Sequence, residues 1–173
     1  MKKYIYLIFV FIFTFTAYSF QEDYWSEYID TYDYNGDIIY KNNLEINYTM
    51  KYKNKIIPVK FDFTQLKYLM TIDVKIEDSI CIDKNAKVKF SLKEGGDYLV
   101  KTSNKNKQCN GKLTIEFDYE EDRDKVMKLI LAGDINKVSL IIEGKTYELN
   151  AGELTNGDLL LLFMGFYTLY LNK

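Results

Sequence analysis

The chain contains no histidine, a single proline and a single arginine, Arg123, among its 173 residues. Without histidine it lacks the commonest general base and the commonest metal ligand in proteins. One guanidinium cannot form the array of bidentate contacts that specific recognition of phosphates or guanine bases uses. We therefore expect no sequence-specific binding of nucleic acid, and we predict no catalytic residue, no metal site and no cofactor.

The short motifs of common enzyme classes are also absent. The sequence has no Walker loop, no GxGxxG, no GxSxG and no zinc-ligand spacing. Paired acids such as Glu120 and Glu121 carry little information in a chain with 25 acidic residues, and acids at a helix start have a dipole explanation. Active sites built from Ser and Lys, from carboxylates alone or from Tyr remain open.

Residues 1–19 have the three-part layout of a secretory signal peptide, of a bacterial kind. Two lysines give a short positive region, 13 uncharged residues follow, and the small residues Ala17 and Ser19 stand where a signal peptidase cuts. The alternative is an uncleaved membrane anchor, but the apolar run only reaches the lower limit of a bilayer span. We predict cleavage after Ser19 and a periplasmic or secreted mature chain of residues 20–173. That chain has 21 basic and 25 acidic residues, hence a net charge of −4.

Cys81 and Cys109 are the only two cysteines. An even number of cysteines in an exported chain is typical of a disulfide framework. No CxxC spacing indicates a redox dithiol, and there is no histidine to activate a thiol. We predict a structural disulfide that closes a loop of 29 residues and stabilises the fold by about 3–4 kcal/mol.

The dominant period of the mature sequence is two, the period of strands with one buried face. Alternation predicts strands over residues 44–52, 57–63, 66–76, 88–92, 98–102, 113–119, 138–142 and 146–150. Pro58 cannot donate to a strand ladder, so its strand is expected at a sheet edge or a bulge. Asn35-Gly36 predicts a tight turn, because the surrounding acids do not fit the calcium-loop pattern. We predict one mainly antiparallel domain, residues 20–173, built as a β-sandwich or a strongly curved sheet of seven to nine strands.

The period changes in two segments. The sequence predicts an amphipathic helix over residues 120–132. Acids stand at its start, Val126, Leu129 and Ile130 recur at helical spacing, and Gly133 is a stop signal. The 13 uncharged residues Leu159–Leu171 would span about 20 Å as a helix, which is too short to cross a membrane. We predict a buried terminal helix or core strand there. The alternative is an apolar segment that docks on a partner or a membrane surface.

Aromatic residues cluster at the start of the mature chain. Tyr24, Trp25 and Tyr28 lie within five residues of one another. Such a cluster suits protein interfaces and carbohydrate stacking, although aromatics in β-rich domains more often fill the core. These three residues form the candidate aromatic interaction patch of the sequence.

The order of these features is itself informative. An acidic start containing Trp25 is followed by alternating strands, two cysteines and the segment LTIEFDYEEDRDKVMKLILAGDINKVSLIIEGKTYELN at Leu113–Asn150. This order resembles that of small exported β domains of Gram-negative bacteria, whose similar segment is a strand, a helix of the DxxKLxKxLxxG kind and a closing hairpin. The resemblance implies that architecture and no site residue, because these domains have no assigned chemistry.

These observations favour a non-enzymatic periplasmic or secreted protein that acts by binding a protein or another envelope component. The alternative is an enzyme or inhibitor that acts on an envelope polymer through carboxylate or Tyr chemistry. A pocket with convergent acids would favour the alternative, whereas a flat aromatic or apolar surface would favour binding.

Overall fold

The structure, a computed structural model, describes residues 28–93, 96–119, 121, 135–151 and 155–171. These residues contain ten strands and one helix: β1 Ile29–Tyr34, β2 Asp37–Asn42, β3 Ile46–Tyr52, β4 Lys55–Leu66, β5 Leu69–Ile76, β6 Lys87–Leu92, β7 Asp97–Lys101, β8 Lys112–Asp118, β9 Ile135–Ile142, β10 Lys145–Ala151 and α1 Thr155–Leu171. The prediction of a mainly β chain with a C-terminal helix is confirmed, with one strand more than the predicted maximum within the described residues.

Two predicted segments lie outside the described residues. They are the signal peptide at residues 1–19 and, except for Glu121, the amphipathic helix at residues 120–132. Both stay predictions.

All ten strands belong to one antiparallel sheet. From one end the strands run in the order β7, β6, β9, β10, β3, β4, β5, β8. The long strand β4 pairs with β5 along one edge, while its other edge pairs first with β3 and then, at residues 64–66, with β2 of the β1–β2 hairpin. The ten strands thus share one continuous hydrogen-bonded framework.

β4 is a central strand, so the sheet edge predicted from Pro58 is wrong. Pro58 lies opposite Thr49 of β3, and pairing with β5 begins only at the next residue, Val59. The missing N–H therefore costs no ladder bond to β5, which explains why a proline is tolerated here.

The sheet curves around α1. The ring of Phe163 packs edge-on against three rings, from Phe63 of β4, Phe90 of β6 and Phe117 of β8, with centroid distances of 5.6, 5.7 and 5.7 Å. Since β6 and β8 lie near opposite ends of the strand order, only a curved sheet brings both to one side chain. The backbone N–H of Ser103, just after β7, also donates to the carbonyl of Thr114 in β8 at 2.8 Å.

α1 fills the concave side of this sheet. Its fully or almost fully buried side chains recur at the i, i+3, i+4, i+7, i+8 spacing of one helix face: Leu159, Leu162, Phe163, Phe166 and Tyr167. Met164 and Leu171 remain exposed. The predicted burial of the C-terminal apolar segment is confirmed, and contact of Leu159–Leu171 with a membrane surface stays a prediction. Within the described part of the chain, no helix has both the length and the apolar character needed to cross a membrane.

A polar contact inside the fold fixes the start of α1. The hydroxyl of Tyr48 in β3 donates to Asn156 Oδ1 at 2.9 Å, and Asn156 Nδ2 donates to the carbonyl of Asn136 in β9 at 3.2 Å. Burial, followed by the charge of Asp158, raises the pKa of Tyr48 above its ordinary value, so the hydroxyl keeps its proton and remains a donor. The helix start is therefore bound to two strands of the sheet.

Candidate functional site

The aromatic patch predicted from the sequence is described only in part. Tyr24 and Trp25 lie outside the described residues. Tyr28 lies just before β1, where it is partly buried and packs against the hydrophobic core. A surface formed by the three together stays a prediction.

The disulfide between Cys81 and Cys109 is confirmed. It lies beside a two-residue bridge in which Ile82 and Gln108 exchange backbone hydrogen bonds of 2.7 and 2.9 Å. The bond therefore ties the segment after β5 to the loop between β7 and β8. A disulfide of this kind is typical of proteins that fold in an oxidising compartment.

A row of apolar side chains crosses the outer face of the sheet. The pairing register places Tyr32 of β1 opposite Ile39 of β2, Ile39 opposite Leu66 of β4, and Leu66 opposite Leu69 of β5. Directly opposed residues project from the same face of the sheet. Gln65, next to Leu66 in β4, projects from the opposite face and is buried, so these four residues lie on the face that points away from the core. We call Tyr32, Ile39, Leu66 and Leu69 the Tyr32 row.

The Tyr32 row is partly open to solvent, with Ile39 and Leu69 half-buried, and it differs from its surroundings. Tyr32 and Leu66 are 48% and 39% exposed, and Tyr34, two residues from Tyr32 on the same face, is 65% exposed. The next row along the same strands is polar throughout: Asp30, Lys41, Thr64, Thr71 and Glu116. A solvent-facing strand position normally carries a polar side chain, so four consecutive apolar positions need a functional explanation.

The side chain of Tyr32 is held in place by its polar neighbours. Its hydroxyl donates to Asp30 Oδ2 at 3.3 Å, and the ammonium of Lys41 lies over its ring at 5.4 Å from the centroid. The negative charge of Asp30 is the main cause of a raised pKa of Tyr32. The ring is thus positioned in advance at the edge of the sheet.

A pocket lies at the other end of the sheet, where four connections meet. The β3–β4 turn supplies Lys53 and the start of β4 supplies Lys55, while the segment after β5 supplies Asp78 and Ser79. Lys107 comes from the β7–β8 loop and Glu143 from the β9–β10 turn. The volume is about 470 Å³, and the depression is widely open to solvent with a mostly polar lining. We call this the loop-end pocket. Lys55 and Leu66 are the two ends of β4, so it lies about 35 Å along the strand from the Tyr32 row.

Glycine holds the wall of this pocket together beside the disulfide. The N–H of Gly111 donates to the carbonyl of Ile80 at 3.1 Å, and the N–H of Ile76 donates to the carbonyl of Gly111 at 2.8 Å. Gly111 has a positive φ of 68°, and a Cβ there would collide with the backbone oxygens of Ile76 and Asp78. Only glycine therefore allows this close approach of two backbones.

Ion pairing in the loop-end pocket joins Lys107 to Glu143, and the charge of Lys53 also contributes to the lowered pKa of Glu143. Lys107 Nζ lies 2.6 Å from Glu143 Oε1, and this contact lowers the pKa of Glu143 and raises that of Lys107. Asp78 Oδ1 accepts the N–H of Ser79 at 2.7 Å. Among the described residues, no carboxylate lies within ion-pair distance of Lys53 or Lys55. The ammonium of Lys53 lies instead over the ring of Tyr52, 5.2 Å from its centroid.

Comparisons with known proteins give no further guide. No protein-family model, curated protein or solved structure matches the chain. In the part of the chain that the structure describes, no group of three His, Cys, Asp or Glu side chains could hold a metal ion. A function for the Tyr32 row or the loop-end pocket can therefore be inferred only from the geometry of each region.

Sequence reasoning found neither region. The row needs the register of four strands, and the pocket joins residues from Lys53 to Glu143 that are far apart in the chain. The alternation at residues 44–63 and the glycine at the β9–β10 turn were the only partial signals, because they indicated the hairpins that carry the pocket lysines and Glu143.

Proposed function

We propose that the chain is an exported, non-enzymatic binding protein that contacts another protein through the Tyr32 row. The N-terminal signal pattern and the disulfide support export to an oxidising compartment, periplasmic or extracellular. The single observation that carries the binding function is the continuous apolar row on a solvent-facing surface. Interfaces are built from such apolar centres with a polar rim, and tyrosine is enriched in them.

The charges around the Tyr32 row favour a different protein over a second copy of this chain. Acidic residues outnumber basic ones at the rim, which is formed by Asp30, Asp37, Glu116, Asp118, Lys41 and Lys67. Two copies facing each other would bring two acidic rims together, which is unfavourable. The partner surface should therefore have an apolar centre and a basic rim.

Glu143 of the loop-end pocket is not suited to act as a general acid. A general acid needs a carboxyl group with a raised pKa, whereas Glu143 has a lowered pKa because it is paired with Lys107. Glu143 therefore stays ionised at neutral pH and has no proton to donate. The enzyme alternative from the sequence thus gains no specific support.

Photo-crosslinking in the native cells tests the proposed contact. A photoreactive phenylalanine analogue at Tyr32 is expected to form one discrete adduct with a different protein. The matched control is Ile56, which is 76% exposed at the far end of the outer face of β4 and has no apolar row beside it. The same analogue at position 56 should form no such adduct.

A second variant shows whether the row itself makes the contact. Leu66→Ser with Leu69→Ser should reduce the adduct from position 32 about tenfold or more, since each loses about 1–2 kcal/mol of apolar burial at the interface. Ile56→Ser should leave the yield unchanged. An adduct of twice the chain's own mass, or equal yields from positions 32 and 56, would refute the proposed contact.

A further inference from the structure

We propose that the loop-end pocket is a second binding site, which takes a small organic anion through the ammonium groups of Lys53 and Lys55. This inference is independent of the Tyr32 row, because the two regions lie at opposite ends of β4. The ligand class is defined by an anionic oxygen group, a carboxylate or a phosphate, attached to a body small enough for about 470 Å³.

The first argument is charge. Lys53, Lys55 and Lys107 converge on one concavity of a chain whose net charge is −2. The lining also holds two carboxylates, those of Glu143 and Asp78, so cations exceed anions by one. Glu143 pairs with Lys107, while Lys53 and Lys55 have no carboxylate at ion-pair distance among the described residues. Like charges in a concave site repel one another and raise the local concentration of anions. An anionic ligand would relieve that repulsion.

The second argument is the set of donors and walls. Lysine binds phosphate and carboxylate as a compact charge with three N–H donors. The hydroxyl of Ser79 adds a neutral donor at the same pocket, and Tyr52 and Ile80 give it an aromatic and an aliphatic wall. A ligand with an anionic group on a ring, such as a sugar acid or a sugar phosphate, matches this combination.

The third argument is rigidity. The pocket is made of connections, but these are fixed by the Cys81–Cys109 disulfide and the backbone contacts of Gly111. The β3–β4 turn has positive φ at Lys53 and Asn54, the geometry of a tight two-residue hairpin turn. A pocket that is formed in advance pays less conformational entropy when a ligand binds.

Nuclear magnetic resonance titration of the purified protein tests this site with two probes, inorganic phosphate and D-glucuronate. Binding of either probe should shift the backbone amides of Lys53, Lys55 and Ser79 and leave those of the Tyr32 row unchanged. Saturation by phosphate alone assigns a phosphate ligand, and saturation by glucuronate alone assigns a carboxylate. Absence of shifts with both probes at millimolar concentration overturns the proposal.

A charge-matched pair of variants separates the pocket from general electrostatics. Lys53→Gln with Lys55→Gln should weaken binding about tenfold or more, because two charge-assisted hydrogen bonds are lost. Lys51→Gln with Lys101→Gln removes the same charge from exposed outer-face positions of β3 and β7 and should change the affinity less than about twofold. Equal weakening in the two double variants would contradict a specific site.

Discussion

Phe163→Ala is expected to lower the free energy of unfolding by about 3–5 kcal/mol, the usual range for a buried phenylalanine. The ring is fully buried and contacts Phe63, Phe90 and Phe117, so its removal leaves a cavity between α1 and three strands. These strands belong to both halves of the sheet order, and local collapse of one strand cannot fill the cavity. The cost should therefore fall in the upper part of the range.

Denaturant titration measures this effect, with Met164→Ala as the matched control. Met164 is the next residue in α1, is 38% exposed and lies off the buried face. Its replacement should change the free energy of unfolding by less than about 1 kcal/mol. The midpoint should drop for Phe163→Ala with an unchanged slope. Equal small losses in both variants would show that α1 does not fill the sheet.

Replacing both cysteines by alanine is expected to cost about 3–4 kcal/mol of stability in the loop-entropy description. Cys81 and Cys109 are 28 residues apart, and their bond closes the loop that contains β6 and β7. Apart from this bond, the two segments are tied mainly by the Ile82–Gln108 bridge and the backbone contacts of Gly111. Without the bond, the unfolded chain has a higher conformational entropy, which lowers the free energy of unfolding.

Reductant provides the control for this prediction. Cys109 is exposed, so a thiol reagent can reach the bond in the folded protein. The wild-type protein should lose about 3–4 kcal/mol on reduction, whereas the double alanine variant should be insensitive to reductant. A wild-type protein whose stability is the same with and without reductant would contradict a structural role for the disulfide.

The sequence predicted the fold well where one face of a strand is buried and the other is polar. Residues 44–52 are an example, because Ile46, Tyr48 and Met50 are buried in β3 and the residues between them are exposed. The burial of the C-terminal helix followed from its long uncharged run, and the disulfide followed from the cysteine count. These signals are found in the order and number of residues, and they do not depend on knowing which strands pair.

The predicted strand 66–76 shows how a local signal fails. The structure ends β4 at Leu66, turns at Lys67 and Tyr68, and begins β5 at Leu69. In a two-residue turn the flanking residues project from the same face, so the buried positions change from odd to even numbers. Leu66 and Tyr68 are apolar and even-numbered, like the buried residues of β5 that begin with Met70, so in the sequence they look like part of the same strand. In the structure both are exposed. No glycine, asparagine or proline marks the turn.

β1 and β2 were missed for a related reason. β1 is exposed on both faces over its last four residues, β2 is partly exposed on both faces, and the consecutive apolar residues Ile38, Ile39 and Tyr40 hide any period of two. The Asn35-Gly36 turn between them was predicted and is confirmed by the positive φ of both residues. The Tyr32 row could not be predicted, since it exists only after the register of β1, β2, β4 and β5 is fixed.

We propose an exported binding protein whose fold is stabilised by the Cys81–Cys109 disulfide. The most direct test is the intact mass of the protein recovered from its native cells, together with the fraction in which it is found. We predict an envelope or extracellular fraction and the mass of residues 20–173 less two hydrogens. A cytosolic protein with the mass of residues 1–173 and two free thiols would contradict the account.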